Sequence, residues 1–541
     1  QCEFLLHDAE FLAAWAALAT DYEYPHAELT RAWELLCLNQ FHDVISGTAI
    51  GQVYEDSARD YEAIRAIGEG VREAALAALA RLLPEEAAFV TVNPTSFGGR
   101  RIGLLPEHLA EGQGLIDLAS GEPLLTQPVE DGTLVEVPHI DPYGVVALGI
   151  DKIPPPQPVG LLAARLLNGS AVLENDTLRV EFDTAGDIVR LFDKTMRREV
   201  LPPGQRANVF QAFEERPPGG DAWNIGASYQ DRCWTAEPAH SLRVIEQGPL
   251  RAGLEIRRRI LNSEIVQRVY LYRGSRRLDF DTWIDWRERH VLLKVAFPVE
   301  VLSPLATYDI QWGNIQRPTH RNTSWDWARF EVCAHKWVDL SEGDYGVSLL
   351  NDSRYGHDVY DNVIRLTLLR SPTYPDPDAD QGEHRFTYSL LPHPGDWRAG
   401  TVPEAYALND PLILRRVSGG KGSLARLSLV AVETPNVVIE TVKRAEDGRG
   451  IIVRLYESHR CRGSVTLRTC FPLAGAQRCN LLEEDAAALP VDGNAVHFTV
   501  KPYQIVTLRL IPAPAGKQGN FRSRKEHRGN QGEVNVSEGK A

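Results

Sequence analysis

The chain has 541 residues, more than one ordinary core accommodates, and at about 100 to 200 residues per domain it divides into three or four units. Hydrophobic residues make up 43% and charged residues 24%, the balance of a globular chain, and no apolar run approaches the roughly 20 residues that span a bilayer. A formal charge of −15 and a pI near 5.5 argue against a nucleic-acid partner, which calls for a basic face.

The chain opens QCEFLLHDAE, and its only methionine is Met196, so it is expected to be the later part of a longer protein. No charged segment precedes an apolar stretch at the start, which argues against secretion. The seven cysteines are odd in number, scattered and without a CxxC pair, as expected of reduced thiols in the cytoplasm.

Residues 4–82 carry helical periodicity. EFLLHDAEFLAAWAALAT is rich in Ala and Leu, and HAELTRAWELLCLNQ follows it. A third pattern runs through Ala58, Tyr61, Ile64, Ile67, Val71, Ala74, Ala78 and Leu82 at steps of three and four. Short connections between them predict a three-helix bundle over 1–84.

After Pro84 the texture changes to short β-rich runs between Gly, Pro and Asp clusters. The alternation in LRVEF and IVRLF predicts half-buried antiparallel strands. KIPPPQPVG at 152–160 reads as a connector between β units. The fold class is therefore α+β: the bundle, a small β-sandwich over 85–158, a large one over 159–435 and a C-terminal one over 436–513. Residues 514–541 lack apolar periodicity and read as a disordered tail.

Between the second and third helices stands LNQFHDVISGT at 38–48, with His42 and Asp43 side by side. A neutral imidazole suits a borderline divalent cation such as zinc, and an adjacent carboxylate can accept hydrogen bonds from substrate hydroxyls. Taken alone the pair is a weak motif that reads first as a capping Asp beside a half-buried His.

The surrounding sequence extends the argument. AWELLCLNQFHDVISGTAIGQVYEDSARDY closely resembles the helical segment of the α-mannosidases of glycoside hydrolase family 38. LENDTLRVEFDTAGDIVRLFDK, GDAWNIGASYQ and LLRSPTYPDPDADQGEHRFTYSLLPH resemble the β-rich part of that family, in its cytosolic and bacterial branch. The resemblance covers roughly residues 1–510. It implies a zinc-dependent retaining hydrolase of mannose-containing oligosaccharides or glycans, with His42 as one of four protein ligands to the zinc and Asp43 accepting from sugar hydroxyls. It also places Arg370 near the bound sugar, although a salt-bridged arginine at a strand end reads the same way. The family's nucleophile, acid/base and remaining metal ligands lie in an N-terminal α/β barrel upstream of the matching region, so this chain alone is expected to be inactive. Members of this branch are often multimers, so the resemblance allows a homo-oligomer, on which the sequence itself is silent. His-carboxylate sites also accept cobalt or manganese. The competing reading is a non-catalytic β-sandwich module that binds carbohydrate or mediates oligomerisation.

Other polar groupings have plainer explanations. NDSRYGHD, with Tyr355, His357 and Asp358, reads as a turn with an Asx start. Asp221 and Trp223 in DAWNIG form a pair common in sugar sites, but a buried indole bonded to a loop is equally natural. Asp380, Glu383 and His384 read as a polar strand edge, and PDPDAD lacks the Gly and terminal Glu of a calcium loop. There is no P-loop and no GxSxG elbow.

Overall fold

The computed structural model describes residues 1–152, 156 and 158–514. The connector expected at 152–160 falls partly outside the described residues, and the tail expected beyond Pro514 falls wholly outside them.

Three helices come first: α1 Cys2–Ala19, α2 His26–Asn39 and α3 Gly51–Ala80. α3 is amphipathic, burying Ile64, Val71, Ala75, Leu76 and Leu79 on one side. α1 differs, because the run from Ala9 to Ala16 is buried on every side. It lies between α3 and the strand Val437–Arg444, and small alanines let both neighbours approach. Gly68 of α3 marks the tightest approach: a Cβ there would lie 2.8 Å from Leu5 Cγ.

The β region is antiparallel. A nine-stranded sheet built around Arg251–Ile260, Ser263–Tyr272, Leu278–Trp286 and Gly382–Pro394 shares one core with a five-stranded and a six-stranded sheet. In LRVEF, Leu178, Val180 and Phe182 are buried while Arg179 and Glu181 are half-exposed and paired, which is the period of two expected of a sheet with one wet face. The C-terminal sheets, with Val437–Arg444, Ile451–Glu457 and Ile505–Pro512 in one and Gly463–Thr469 and Ala495–Val500 in the other, share a second core with α1 and α3.

The small sheet departs from the expected division at 435. Phe89–Asn93 pairs with Gly144–Asp151 on one side and with Ile413–Arg416 on the other, and Arg426–Ser428 closes the far edge of Gly144–Asp151. Residues 413–428, placed by the sequence in the large sandwich, thus return to the small sheet, where Leu414 completes a core with Phe89, Val146 and Leu148. Two further α-helices, both short, lie among the described residues. α4 Ser324–Ala328 carries a capping box between Thr323 and Asp326. α5 Thr401–Asn409 packs Val402, Ala405 and Tyr406 against Trp337, Val438 and Tyr456, bridging the large and C-terminal sandwiches. The architecture is α+β, helices followed by several antiparallel β-sandwich units.

Candidate functional site

The turn bearing His42 is built by its own backbone. At the end of α2, buried Asn39 donates from Nδ2 to the Leu35 carbonyl at 2.9 Å and to Asp60 of α3 at 3.0 Å, locking the two helices together. The N–H groups of Val44 and Ile45 both donate to the Phe41 carbonyl, at 2.8 and 3.0 Å. The Ser46 hydroxyl donates to the His42 carbonyl at 2.6 Å. Gly47 then turns the chain with φ of +75°, a conformation glycine adopts without steric cost. The Tyr54 hydroxyl accepts from Ala49 N–H at 2.9 Å and fixes the entry to α3.

This framework holds His42 and Asp43 outward. Their side chains are 78% and 70% exposed, with His42 Nε2 3.4 Å from Asp43 Oδ1. The ring of Phe41 lies 4.2 Å from that of His42. The plain alternative, a half-buried histidine beside a capping aspartate, is not what forms: the imidazole is in solvent, and among the described residues no backbone N–H donates to Asp43. Leu38, Phe41, Ile45 and Ile50, on either side of the pair in sequence, are exposed as well.

A loop from the large sandwich reaches the same end of the bundle. Asp376 Oδ1 lies 3.3 Å from where a Cβ on Gly51 would stand, so residues 371–380 abut the start of α3. Burial, and then the charges of Asp376 and Asp380, push the Tyr54 phenol up. Arg370, at the end of Val363–Arg370, organises this loop. Its guanidinium donates to Glu215 from Nε and Nη2 and to the carbonyls of Ala222, Asp221 and Asn224. Asp221 Oδ2 accepts from the N–H groups of Thr373 and Tyr374 at 2.8 and 3.0 Å. Arg370 and Asp221 thereby staple the 220–224 turn to the 371–375 loop. Trp223 and Tyr374 stand exposed on it, ring centroids 6.2 Å apart. Of the two readings of Arg370, the geometry matches the salt-bridged strand-end arginine, because its donors are engaged by protein acceptors.

The remaining candidates separate. Asn351 Oδ1 accepts from Arg354 N–H at 2.8 Å, the expected Asx start, but His357 and Asp358 lie beyond that turn, buried in the strand Gly356–Tyr360. Asp358 pairs with Lys294 at 2.7 Å and with Arg365 at 3.1 Å. Asp380 accepts from Arg370 N–H at 3.0 Å and Glu383 from the Trp283 indole at 3.2 Å, while His384 Nε2 lies 2.9 Å from the Asp380 carbonyl, so these residues serve a polar strand edge.

Zinc catalysis requires three protein ligands. His42 and Asp43 offer one imidazole and one carboxylate, and among the described residues no third metal-binding side chain joins them. They fit part of a zinc shell and cannot complete one. The sequence reading missed a different grouping, His7, Asp8 and Asp410, whose ligand atoms lie within 4.8 Å of one another. No spacing rule links positions so far apart in the chain.

Comparison with known proteins agrees with the layout. Residues 1–79 match the α-mannosidase middle domain, 173–378 the glycosyl hydrolases family 38 C-terminal domain, and 436–508 the family 38 C-terminal β-sandwich domain. Mouse (Mus musculus) α-mannosidase 2C1 is 38% identical over 94% of this chain, and Dictyostelium discoideum α-mannosidase G is 28% identical over 94%. The chain spans about half the length of these relatives, 48% and 50%. A solved α-mannosidase from Enterococcus faecalis V583 superposes with a TM-score of 0.78 at 19% identity, covering 94% of this chain and 66% of that one, which shows a shared fold. Among the described residues no helix is long and apolar enough to cross a membrane. From the turn of His42 to the last sandwich, the chain belongs to glycosyl hydrolase family 38 and carries the middle and C-terminal domains of its α-mannosidases.

Proposed function

We propose that this chain forms the helical and β-sandwich half of a cytoplasmic, zinc-dependent, retaining α-mannosidase that removes terminal mannosyl residues from oligosaccharides or glycans, and that it is inactive without the other half. The observation that carries the reading is the outward presentation of His42 and Asp43 on a connection whose flanking Leu38, Phe41, Ile45 and Ile50 are exposed too. An exposed imidazole beside exposed Leu38, Phe41, Ile45 and Ile50 is what an element completed by another domain presents. In this reading His42 supplies one ligand to a zinc whose other ligands lie outside this chain. The metal, when bound, would polarise substrate hydroxyls. Asp43 accepts from those hydroxyls, and Arg370 shapes the sugar side by holding the turn of Trp223. Retaining hydrolysis uses two carboxyl groups about 5–5.5 Å apart, and one carboxylate stands against His42, which accounts for the inactivity of this chain alone. The assembled enzyme is proposed to be a homo-oligomer.

The test is kinetic. The 541-residue chain alone should not turn over an aryl α-mannoside. In a longer protein that joins it to the remaining half of its relatives, His42→Ala should abolish both turnover and zinc at the catalytic site. Asp43→Asn should keep the zinc while kcat/KM falls by about two to three orders of magnitude, roughly 3 to 4 kcal/mol. Turnover by the chain alone, or full activity of His42→Ala in the longer protein, would refute the assignment.

A further inference from the structure

A cavity of about 560 Å³ lies between α1, α2 and the strand Val437–Arg444, away from the turn of His42. His7 of α1 and Asp410, which follows α5, both line it. His7 Nδ1 is 3.2 Å from Asp8 Oδ1 and 3.6 Å from Asp410 Oδ2. The Asp410 side chain is only 4% exposed, and among the described residues its hydrogen-bonding neighbour is another carboxyl, that of Asp8. Burial and the adjacent Asp8 carboxyl push the Asp410 carboxyl well above the ordinary carboxylate range, the cost of holding two carboxyls together with no cation beside them.

The hydrogen-bond network defines which face of the imidazole is available. The Tyr143 hydroxyl has one hydrogen, and 3.0 Å away is the Ile439 carbonyl, which can only accept. Tyr143 Oη must therefore accept from His7 Nε2–H, 3.1 Å away. With the proton of the neutral ring on Nε2, Nδ1 turns its lone pair toward the two carboxylates. A histidine whose second ring nitrogen donates to an oriented partner is the arrangement seen in metal ligation. Glu10 and Glu440 also face His7; burial pushes the Glu10 carboxyl up to about 7 against the pull of Lys443, and Lys336 acts on Glu440. Arg72 acts on Asp410 from a distance but makes no hydrogen bond to it, and its own Nε is buried without a partner.

We propose that His7 Nδ1 and the carboxylates of Asp8 and Asp410 form a second metal site, for a divalent cation of the borderline class that accepts imidazole and carboxylate together, with the cavity side open to water. Protons can hold the empty cluster, one between Nδ1 and Asp8 and one between Asp8 and Asp410, and a single divalent cation would displace both while meeting all three groups. The site joins α1 to the segment after α5, so its occupancy ties the helical bundle to the β-sandwiches.

The experiment uses the 541-residue chain, stripped with a chelator and titrated with cobalt(II) and zinc(II) by calorimetry and by cobalt absorption. One equivalent should bind and raise the thermal midpoint. It should be lost in His7→Ala and in Asp410→Asn and retained in His42→Ala. Tyr143→Phe, which removes only the orienting acceptor, should weaken binding about 10- to 100-fold. The wild-type titration decides even where a variant does not fold: no bound equivalent means that protons alone hold the cluster, and the inference fails. An equivalent that is lost in His42→Ala but kept in His7→Ala would also overturn it, while leaving the proposed role of His42 intact.

Discussion

Arg370 and Glu215 meet at a single carboxylate oxygen, with Nε and Nη2 of the arginine 3.1 and 3.0 Å from Oε2. The other oxygen of Glu215 accepts from Gly226 N–H at 2.9 Å, and the side chain is 1% exposed. Removing the guanidinium strands a buried charge and releases the carbonyls of residues 221–224 together. Arg370→Ala should therefore destabilise the large sandwich by about 3 to 5 kcal/mol, and Arg370→Lys should recover only part of this because a point charge cannot span the same acceptors. Denaturant midpoints measure the loss, and the emission of exposed Trp223 should report release of its turn. A wild-type midpoint for Arg370→Ala would show that the staple is dispensable.

Lys294 makes a second buried network in the same sandwich. Its ammonium is fully buried, pairs with Asp358 at 2.7 Å and with Glu331, and lies 5.4 Å from the Tyr229 ring centroid. Lys294→Met fills the space and leaves two carboxylates facing each other, so a cost of about 3 to 5 kcal/mol is expected. Adding Asp358→Asn should cost less than its single-variant value, with a coupling of about 0.5 to 3 kcal/mol. Strict additivity in urea melts would mean that the two groups do not interact.

His357 couples that network to pH. Burial, opposed by its hydrogen bond to the Tyr355 carbonyl and reinforced by Lys294, pushes the imidazole down to about 4 from an ordinary 6.5. The unfolded chain takes up this proton near pH 6.5 and the folded chain only near pH 4. The contribution to stability is therefore complete above pH 6.5 and is lost as the pH falls toward 4, by about 3 kcal/mol in all. Urea midpoints across this window should fall more steeply for the wild type than for His357→Gln. Parallel profiles would assign the acid sensitivity to other groups.

Much of this architecture can be read locally. The three- and four-residue steps through Ile64, Val71 and Leu82 mark α3 because that helix buries one face, and LRVEF alternates because its sheet does the same. The connection around His42 is equally plain, since Gly47 and the polar run beside it cannot continue a helix. What covers each face leaves no local trace. From Ala9 to Ala16, α1 has no exposed face because α3 and Val437–Arg444 enclose it from both sides. The return of Ile413–Arg416 to Phe89–Asn93 brings Leu414, with Leu412 beside it, into the core of the small sheet. Arg370 reads alike as a sugar donor or a salt-bridge partner until Glu215 is brought against it, and His7 reads as a helix residue until Asp410 arrives. Periodicity records that a side of an element is buried, whereas the partner of a charge is chosen by folding across long stretches of chain, and the chemistry of this protein resides in those partners.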